Sequence, residues 1–263
     1  MTLISETLKK KKSKCSLIPF ITAGYPNLKV TANALYALDR KGADVIELGI
    51  PYSDALADGP IIQESSRIAL KQGVCLDQIL TMLKTVIPNL SAPVVIFTYY
   101  NPVLVRGMQQ FIQDISLSGV RGLIIPDLPL EEVDYLLQLC NKCFIELILF
   151  ISPTSSDIRM ASILSKSPGC IYLVSSYGVT GMRSKISSNI NKVAQKIKSK
   201  SNKLVILGFG ISNSKQVSEI ANWYVDGIVI GSAFMNSMLY KNDIEAIKCL
   251  SERCEIFKEA IDK

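Results

Sequence analysis

The chain has 263 residues, of which 48% are hydrophobic, and its formal net charge is +6. This length and apolar content exclude intrinsic disorder and fit either one large α/β barrel or two ordinary domains. The sequence has no run of eighteen apolar residues and no secretory signal at its N-terminus, so we expect no membrane span and a location inside the cell.

The positive charge is concentrated near the N-terminus, where residues 9–14 include five lysines. A nucleic-acid site of this kind would need aromatic residues between the lysines as stacking platforms for bases, and none is present. We therefore predict a solvated basic helix or arm over residues 1–15 and no nucleic-acid partner.

The seven cysteines are odd in number and scattered along the chain. This usage is typical of reduced thiols and does not indicate a disulfide framework. Cys140 and Cys143 form a lone C-x-x-C pair within a helical pattern, but the chain contains no histidine. We therefore predict no metal site.

Eight short apolar or β-branched segments alternate with segments of helical period. This alternation predicts a TIM (β/α)8 barrel that forms a single domain over residues 1–263, with one extra N-terminal helix and a last helix over residues 233–260. The rival fold, a doubly wound open sheet, needs a glycine-rich turn after the first strand, where only Gly24 is available. The predicted strands are SLIPFIT (16–22), DVIELG (44–49), PVVIFTYY (93–100), GLIIPD (122–127), ELILFIS (146–152), IYLVSS (171–176), KLVILGF (203–209) and GIVIGS (227–232).

Glu47 interrupts the apolar run of the second predicted strand. The alternation of side chains along a strand places Glu47 on the face opposite Ile46 and Leu48, which we expect to pack on the outer helices. Glu47 then points into the barrel near the carboxyl ends of the strands, where active sites of such barrels lie. A carboxylate there is costly to bury, and this cost favours acid/base catalysis over a structural ion pair.

Asp58 follows in a turn-rich loop and has a competing structural explanation. The sequence Asp58-Gly59-Pro60 precedes a helical pattern, so the aspartate is expected to act either as a helix cap or as a catalytic group. The residues alone favour the cap. Asp127, between two prolines, is a similar strand-end residue that either orients the site or fixes its own turn.

Three glycine-bearing turns follow the sixth, seventh and eighth predicted strands. Glycine lets backbone N–H groups approach an oxyanion closely, and barrels often bind a substrate phosphate with their last two loops. Strand-to-helix turns also favour glycine for conformational reasons, but three in succession predict a phosphate site. The residues concerned are Gly178, Gly181, Gly208, Gly210, Gly231 and Ser232.

Together, the segments PFITAGYPN, ELGIPYSDALADGPIIQESS, YYNPV, PDLPLEE, SSYGVTGMR, GFGIS and IGSAF resemble the tryptophan synthase alpha subunit family, in order from Pro19 to Phe234. The resemblance implies a barrel enzyme that cleaves indole-3-glycerol phosphate to indole and glyceraldehyde 3-phosphate. It also implies an alpha2beta2 heterotetramer with a beta subunit that carries pyridoxal phosphate, with no cofactor in this chain. The compartment implied is the bacterial cytoplasm or the plastid stroma.

By motif position, Glu47 matches the catalytic glutamate of the family and Asp58 its catalytic aspartate. Thr180 matches the residue of the sixth loop that meets this aspartate when the site closes, and Asp54, Asn101 and Pro129 match positions that contact the beta subunit. The further residues predicted to contact substrate are Phe20, Phe97, Tyr99, Tyr172, Gly181, Phe209, Gly210, Gly231 and Ser232, with Ile151 as another candidate for the apolar indole slot.

Two alternatives remain open from the sequence. Another phosphate-binding barrel, such as an isomerase or a Schiff-base aldolase, shares the glycine turns, although the aldolase needs a lysine at a strand end and no strand interior carries one. The second alternative is a catalytically inactive barrel that only activates a partner. Pro126 and Phe97 depart from the residue types usual in the family and affect the lining of the predicted indole slot.

Overall fold

The computed structural model describes residues 3–10, 13–175 and 189–262. Eight strands pair in chain order, each parallel to its neighbours, and β8 pairs with β1 to close the barrel. The predicted TIM barrel is therefore confirmed. The strands are Ser16–Thr22 (β1), Ile46–Gly49 (β2), Val94–Phe97 (β3), Gly122–Ile124 (β4), Glu146–Ile151 (β5), Cys170–Val174 (β6), Leu204–Gly208 (β7) and Gly227–Ile230 (β8).

Helices surround the barrel and cover its apolar outer face. Their buried residues recur at helical spacing, as in α2, where Val30, Ala34 and Leu38 are buried. The helices are Ile4–Lys9 (α1), Leu28–Arg40 (α2), Pro60–Lys71 (α3), Leu76–Val86 (α4), Tyr100–Arg106 (α5), Met108–Leu117 (α6), Val133–Lys142 (α7), Asp157–Lys166 (α8), Asn189–Lys200 (α9), Ser214–Ile220 (α10), Ser232–Met238 (α11) and Asp243–Asp262 (α12), with a 3₁₀ turn at Ile87–Asn89.

The C-terminal segment forms two helices, so the prediction of one helix over residues 233–260 is wrong. The chain leaves α11 at Leu239, and Tyr240 has a positive φ of 57°. The Asn242 side chain then accepts a hydrogen bond from the N–H of Glu245 at 3.0 Å. Asn242 thus caps α12, and the helix breaks before it although the apolar pattern of the sequence continues across the break.

The predicted N-terminal helix is present, but it is not a freely solvated arm. Ile4 and Leu8 are buried, and the N–H of Ser5 donates a 2.8 Å hydrogen bond to the Glu146 carboxylate on β5. Ile4 also packs over Gly122 at the start of β4. The helix therefore covers the amino-terminal end of the barrel with its apolar face, while Lys9 and Lys10 remain exposed.

The strand ends set the positions of the loops that carry polar side chains. β3 ends at Phe97, so Thr98 and Tyr99 belong to a turn and Tyr100 begins α5, although the sequence predicts a strand as far as residue 100.

None of the described helices is both long and apolar enough to cross a membrane. The seven cysteines are all free thiols.

Candidate active site

Two cavities that share Phe209 lie at the carboxyl ends of the strands. The inner cavity has a volume of about 30 Å³ and the outer cavity about 440 Å³. The inner one has room for no more than a few water molecules. It is lined by Phe20, Glu47, Asp58, Ile62, Phe97, Tyr172, Phe209, Gly210, Ile211, Val229, Gly231 and Ser232.

Most candidates named from the sequence meet in the inner cavity, and a few do not. Nine of the lining residues are predicted site residues; Ile62, Ile211 and Val229 were not predicted. Tyr99 lines neither cavity, and neither does Ile151, which is fully buried in β5. Thr180 and Gly181 lie outside the described residues, as does Gly178.

Glu47 lies in the middle of β2, in register with Phe20 on β1 and Val95 on β3. Its relative exposure is only 2%, and its Oε2 atom has no hydrogen-bond partner among the described residues. Burial raises the pKa of Glu47 to about 8, with the negative charge of Asp58 adding to the rise. A carboxyl group with this pKa is largely protonated at neutral pH and can donate a proton.

Asp58 does not cap a helix, so that prediction from the residues alone is wrong. The N-cap of α3 is Gly59, and no side chain caps this end. Pro60, the first residue of α3, has no backbone N–H, so this helix end has one fewer donor for a capping side chain to satisfy. The Asp58 carboxyl group instead faces the inner cavity and the hydroxyl of Tyr99.

The two carboxyl groups have different protonation at neutral pH. Burial raises the pKa of Asp58 to about 6, and a hydrogen bond from Tyr99 opposes this rise. Asp58 is therefore mainly ionised at pH 7, where Glu47 is mainly protonated. A site with one proton donor and one fixed negative charge suits a reaction in which positive charge develops on a substrate after protonation.

Asp127 fixes a turn near the site. Its carboxylate accepts a 2.8 Å hydrogen bond from the N–H of Tyr100, the first residue of α5. This contact ties the end of β4 to the turn after β3. Of the two predicted roles, the structure shows the structural one, because the described contact of Asp127 is with backbone.

Aromatic rings line the inner cavity around the two carboxyl groups, and Phe150 and Phe209 continue this lining into the outer cavity. The rings of Phe20 and Phe97 meet edge to face at 5.7 Å, and Tyr172 packs between Phe150 and Phe209 at 4.7 and 5.7 Å. Burial raises the pKa of the Tyr172 hydroxyl far above its usual value, and the charges of both carboxyl groups add to this. Tyr172 is therefore a neutral phenol in the site.

Two glycines at strand ends make room for these rings. A Cβ atom on Gly49 would lie 2.4 Å from the Cζ of Phe20, and one on Gly208 would lie 2.0 Å from the hydroxyl of Tyr172. No side chain approaches so closely without displacing its neighbour. The absence of a side chain at each strand end thus determines the shape of the cavity wall.

The side of the inner cavity away from Phe97 is formed by the turns after β7 and β8. Gly210 has a φ of 76°, a conformation that favours glycine. Ser232 is the first residue of α11, and the first N–H groups of a helix have no acceptor within the helix. Backbone donors and the Ser232 hydroxyl are therefore available to an oxyanion on this side.

The outer cavity combines Pro126 and Phe209, which the sequence analysis named for the indole slot, with other residues that it missed. Pro126, Phe150 and Val174 line it together with Ala57 and Phe209. Phe150 was missed because Ile151, its neighbour on β5, was named instead as the candidate near the end of this strand. The pairing of Phe150 with Tyr172 in the strand register is the signal that identifies the correct face, and it requires the strand alignment. A cationic side chain, that of Arg159, also lines the outer cavity.

The described part of the chain offers no metal site. It contains no group of three or more His, Cys, Asp or Glu side chains able to hold a metal ion. Within the same residues, no lysine lines the inner or the outer cavity. This arrangement gives no support to a Schiff-base aldolase, which needs a lysine nucleophile in the site.

Comparison with known proteins identifies the family. Residues 6–262 match the family described as "Tryptophan synthase alpha chain". The chain belongs to this family. A tryptophan synthase alpha chain from Gracilaria tenuistipitata var. liui is 59% identical over 261 residues, covering 99% of this chain and 97% of the relative. The protein of the same name from Trichormus variabilis is 47% identical over 264 residues, covering 99% of both chains.

Solved structures agree with this family assignment. A tryptophan synthase structure from Mycobacterium tuberculosis has a TM-score of 0.89 and 30% identity, covering 99% of this chain and 97% of that one. A structure of the tryptophan synthase a2b2 complex from Pyrococcus furiosus has a TM-score of 0.87 and 35% identity, covering 94% and 99% of the two chains. As a tryptophan synthase alpha chain, the protein is a lyase that cleaves indole-3-glycerol phosphate.

Proposed function

We propose that Glu47 and Asp58 together carry the cleavage of indole-3-glycerol phosphate to indole and glyceraldehyde 3-phosphate. The observation that carries this proposal is their position in one cavity, with pKa values of about 8 and about 6. Between these values Glu47 holds a proton while Asp58 holds a negative charge. The reaction needs one group of each kind.

Protonation by Glu47 allows the bond between C3 of the indole ring and the glycerol chain to break. Glu47 gives its proton to C3 of the indole ring, and the ring becomes a cationic indolenine in which the ring nitrogen shares the positive charge. Asp58 accepts a hydrogen bond from the indole N–H and stabilises this cation. The alternative, an uncatalysed cleavage, would expel an unstabilised carbanion at C3.

The second half of the reaction restores the proton to Glu47. The glutamate carboxylate removes the proton from the hydroxyl on the glycerol carbon attached to C3. The electron pair of that O–H bond forms the aldehyde C=O bond, the bond between C3 and the glycerol carbon breaks, and its electron pair neutralises the ring. Indole and glyceraldehyde 3-phosphate result, and Glu47 is protonated for the next cycle.

The substrate spans both cavities in this proposal. Its phosphate binds at the turns that carry Gly210, Gly231 and Ser232, and its glycerol chain passes Glu47. The inner cavity, at about 30 Å³, must widen to take the phosphate and glycerol chain and has no room for the indole ring as well, so the ring extends past Phe209 toward Pro126 and Phe150 of the outer cavity. Phe20, Phe97 and Tyr172 then form the wall behind the reacting atoms.

The test is to supply indole-3-glycerol phosphate to the purified chain and measure released indole, with and without a beta subunit. Wild type is expected to release indole, and Glu47→Gln is expected to release none above background. If the wild-type chain releases no indole under either condition but stimulates the beta subunit, the inactive-barrel alternative is correct. Formation of an isomerised sugar phosphate instead of indole would support the isomerase alternative.

The same proposal includes a beta subunit that carries pyridoxal phosphate and converts the released indole to tryptophan in an alpha2beta2 assembly. The a2b2 complex of the Pyrococcus furiosus tryptophan synthase supports this assembly. Asp54, Asn101 and Pro129, the predicted contacts, are all exposed around the mouth of the barrel. Sedimentation of the mixed subunits tests the alpha2beta2 assembly. The double variant Asn101→Asp, Pro129→Asp is expected to weaken the complex and to keep the activity of the isolated chain.

The site of action in this proposal is the bacterial cytoplasm or the plastid stroma. Seven free thiols fit the reducing conditions of either compartment. Fractionation of source cells with an antibody to the chain distinguishes the two.

A further inference from the structure

Tyr99 lies beside the loop that carries Asp58. It follows β3, precedes α5 and is only 2% exposed. Its side chain is not among those that line either cavity. Its hydroxyl is nevertheless next to a group to which the proposed function gives a catalytic role. This position requires a different explanation from substrate contact.

The hydroxyl of Tyr99 contacts the loop that follows β2, residues 50–59. It accepts a 3.0 Å hydrogen bond from the N–H of Ala57. The next residue of the loop is Asp58, and the Tyr99 hydroxyl lowers the pKa of its carboxyl group. A phenol has a single proton, and the Ala57 N–H occupies its acceptor side, so that proton is available to Asp58.

The ring of Tyr99 is itself held by the same loop. Tyr52 packs against it with ring centroids 5.3 Å apart, and Phe97 contacts it edge to face at 6.1 Å. The Tyr52 hydroxyl accepts a 3.2 Å hydrogen bond from the Asn101 amide on α5. Tyr99, at the end of β3, therefore contacts the loop at two points, the ring of Tyr52 and the N–H of Ala57, the residue before Asp58.

We propose that Tyr99 is a positioning residue for Asp58, because its hydroxyl binds the N–H of Ala57 and its ring packs on Tyr52, and together these contacts hold the loop that carries the carboxylate. This inference rests on the proposed function only for its effect on catalysis; the contacts between Tyr99 and this loop do not depend on it. Of the other titratable groups around Asp58, Glu47 on β2 and Tyr172 on β6 are protonated and uncharged at neutral pH, and Asp127 after β4 is bound to the Tyr100 N–H.

The consequence for Asp58 is a shift in titration. Burial raises the pKa of Asp58, and the hydrogen bond from Tyr99 lowers it. Removal of the hydroxyl therefore moves this pKa upward, and the ionised fraction at a given pH decreases. Activity that needs ionised Asp58 then begins to rise at a higher pH.

The experiment compares wild type, Tyr99→Phe and Tyr100→Phe, each as the full chain in complex with the beta subunit. The control removes the hydroxyl of the next residue, which points to Glu132 and Met108 and not to Asp58. For Tyr99→Phe we expect the acidic limb of the kcat/KM profile to move upward by about one pH unit, with kcat reduced about fivefold at pH 6 and KM little changed. Tyr100→Phe is expected to keep the wild-type profile.

A second measurement is independent of activity. The Asp58 carboxyl carbon is followed by ¹³C NMR during a pH titration and assigned with Asp58→Asn; its midpoint is expected to move upward in Tyr99→Phe. If that variant does not fold, a fluorinated tyrosine at position 99 keeps the ring shape and strengthens the donor, and the midpoint is expected to move downward.

Equal Asp58 midpoints in wild type and the Tyr99 variants would overturn the inference, even if indole release is normal. Failure of the proposed function has a different signature. In that case the wild-type complex releases no indole, while the NMR midpoint still responds to the change at Tyr99.

Discussion

The carboxyl group of Glu47 lies close enough to that of Asp58 for the charge of Asp58 to raise the pKa of Glu47. Both groups line one cavity, but Glu47 is deeper, within a strand, whereas Asp58 is on a loop with a tyrosine hydroxyl beside it. The difference in environment gives each carboxyl group a separate protonation state at neutral pH. The proposed chemistry depends on this difference.

The first prediction concerns the pH dependence of activity. Asp58 must be ionised, so kcat/KM is expected to rise with pH through a value of about 6; Glu47 must be protonated, so kcat/KM is expected to fall through a value of about 8. Steady-state rates of indole release from pH 5 to 9 give the profile. A profile that rises steadily to pH 9 contradicts a protonated Glu47 as the proton donor.

The second prediction concerns stability. The folded-state pKa of Glu47, about 8, is above its ordinary value of 4.5, so ionisation opposes folding as pH rises. The stability of wild type relative to Glu47→Gln is expected to be unchanged below about pH 4.5, to decrease between about pH 4.5 and about pH 8, and then to level off. Urea unfolding of both proteins across this range measures the difference. Parallel stability curves would mean that Glu47 titrates normally.

The third prediction concerns the phosphate side of the inner cavity. Ser232→Asp places a negative charge against the phosphate, and binding of glycerol phosphate is expected to weaken by about 1 to 3 kcal/mol. Gly210→Asp is expected to weaken it as well, but its φ of 76° adds backbone strain, so Ser232 is the cleaner position. Calorimetric titration measures the dissociation constant.

Ser199→Asp, on the exposed end of α9, is the matched control for charge and is expected to bind as wild type does. Unchanged affinity in Ser232→Asp would place the phosphate elsewhere.

The fourth prediction concerns a buried hydroxyl. Thr98 is fully buried, and its Oγ1 has no hydrogen-bond partner among the described residues. Thr98→Val replaces this hydroxyl with a methyl group of similar size, and the free energy of unfolding is expected to rise by about 1 kcal/mol. Thermal unfolding tests this, with Thr81→Val as a control in which an exposed, hydrogen-bonded hydroxyl is removed. Destabilisation of Thr98→Val would show that its hydroxyl has a partner.

The sequence predicted the barrel well because its signal is repeated eight times. Buried parallel strands are apolar on both faces, so an interruption such as Glu47 is conspicuous. The strand ends were less accurate. Tyr99 and Tyr100 continue the β-favouring composition of β3, but the backbone turns after Phe97 because α5 must begin there.

Individual contacts within the site depend on alignment between strands, which the sequence does not contain. Asp58-Gly59-Pro60 is typical of a helix entrance, and only the structure shows that Gly59 occupies the cap position and leaves the aspartate to Tyr99. Ile151 and Phe150 are equally apolar, and the register of β5 with β6 decides which one packs on Tyr172. Local patterns therefore identify the residue types at the site better than they identify its walls.

The most direct test of the account is the rate of indole release by Glu47→Gln at saturating indole-3-glycerol phosphate. Glutamine keeps the shape of the side chain but cannot exchange a proton, so the account predicts a loss of at least about 100-fold in kcat, while circular dichroism and glycerol phosphate binding match wild type. Turnover close to that of wild type in a folded variant that binds glycerol phosphate would contradict the assignment of Glu47 as the proton donor and acceptor.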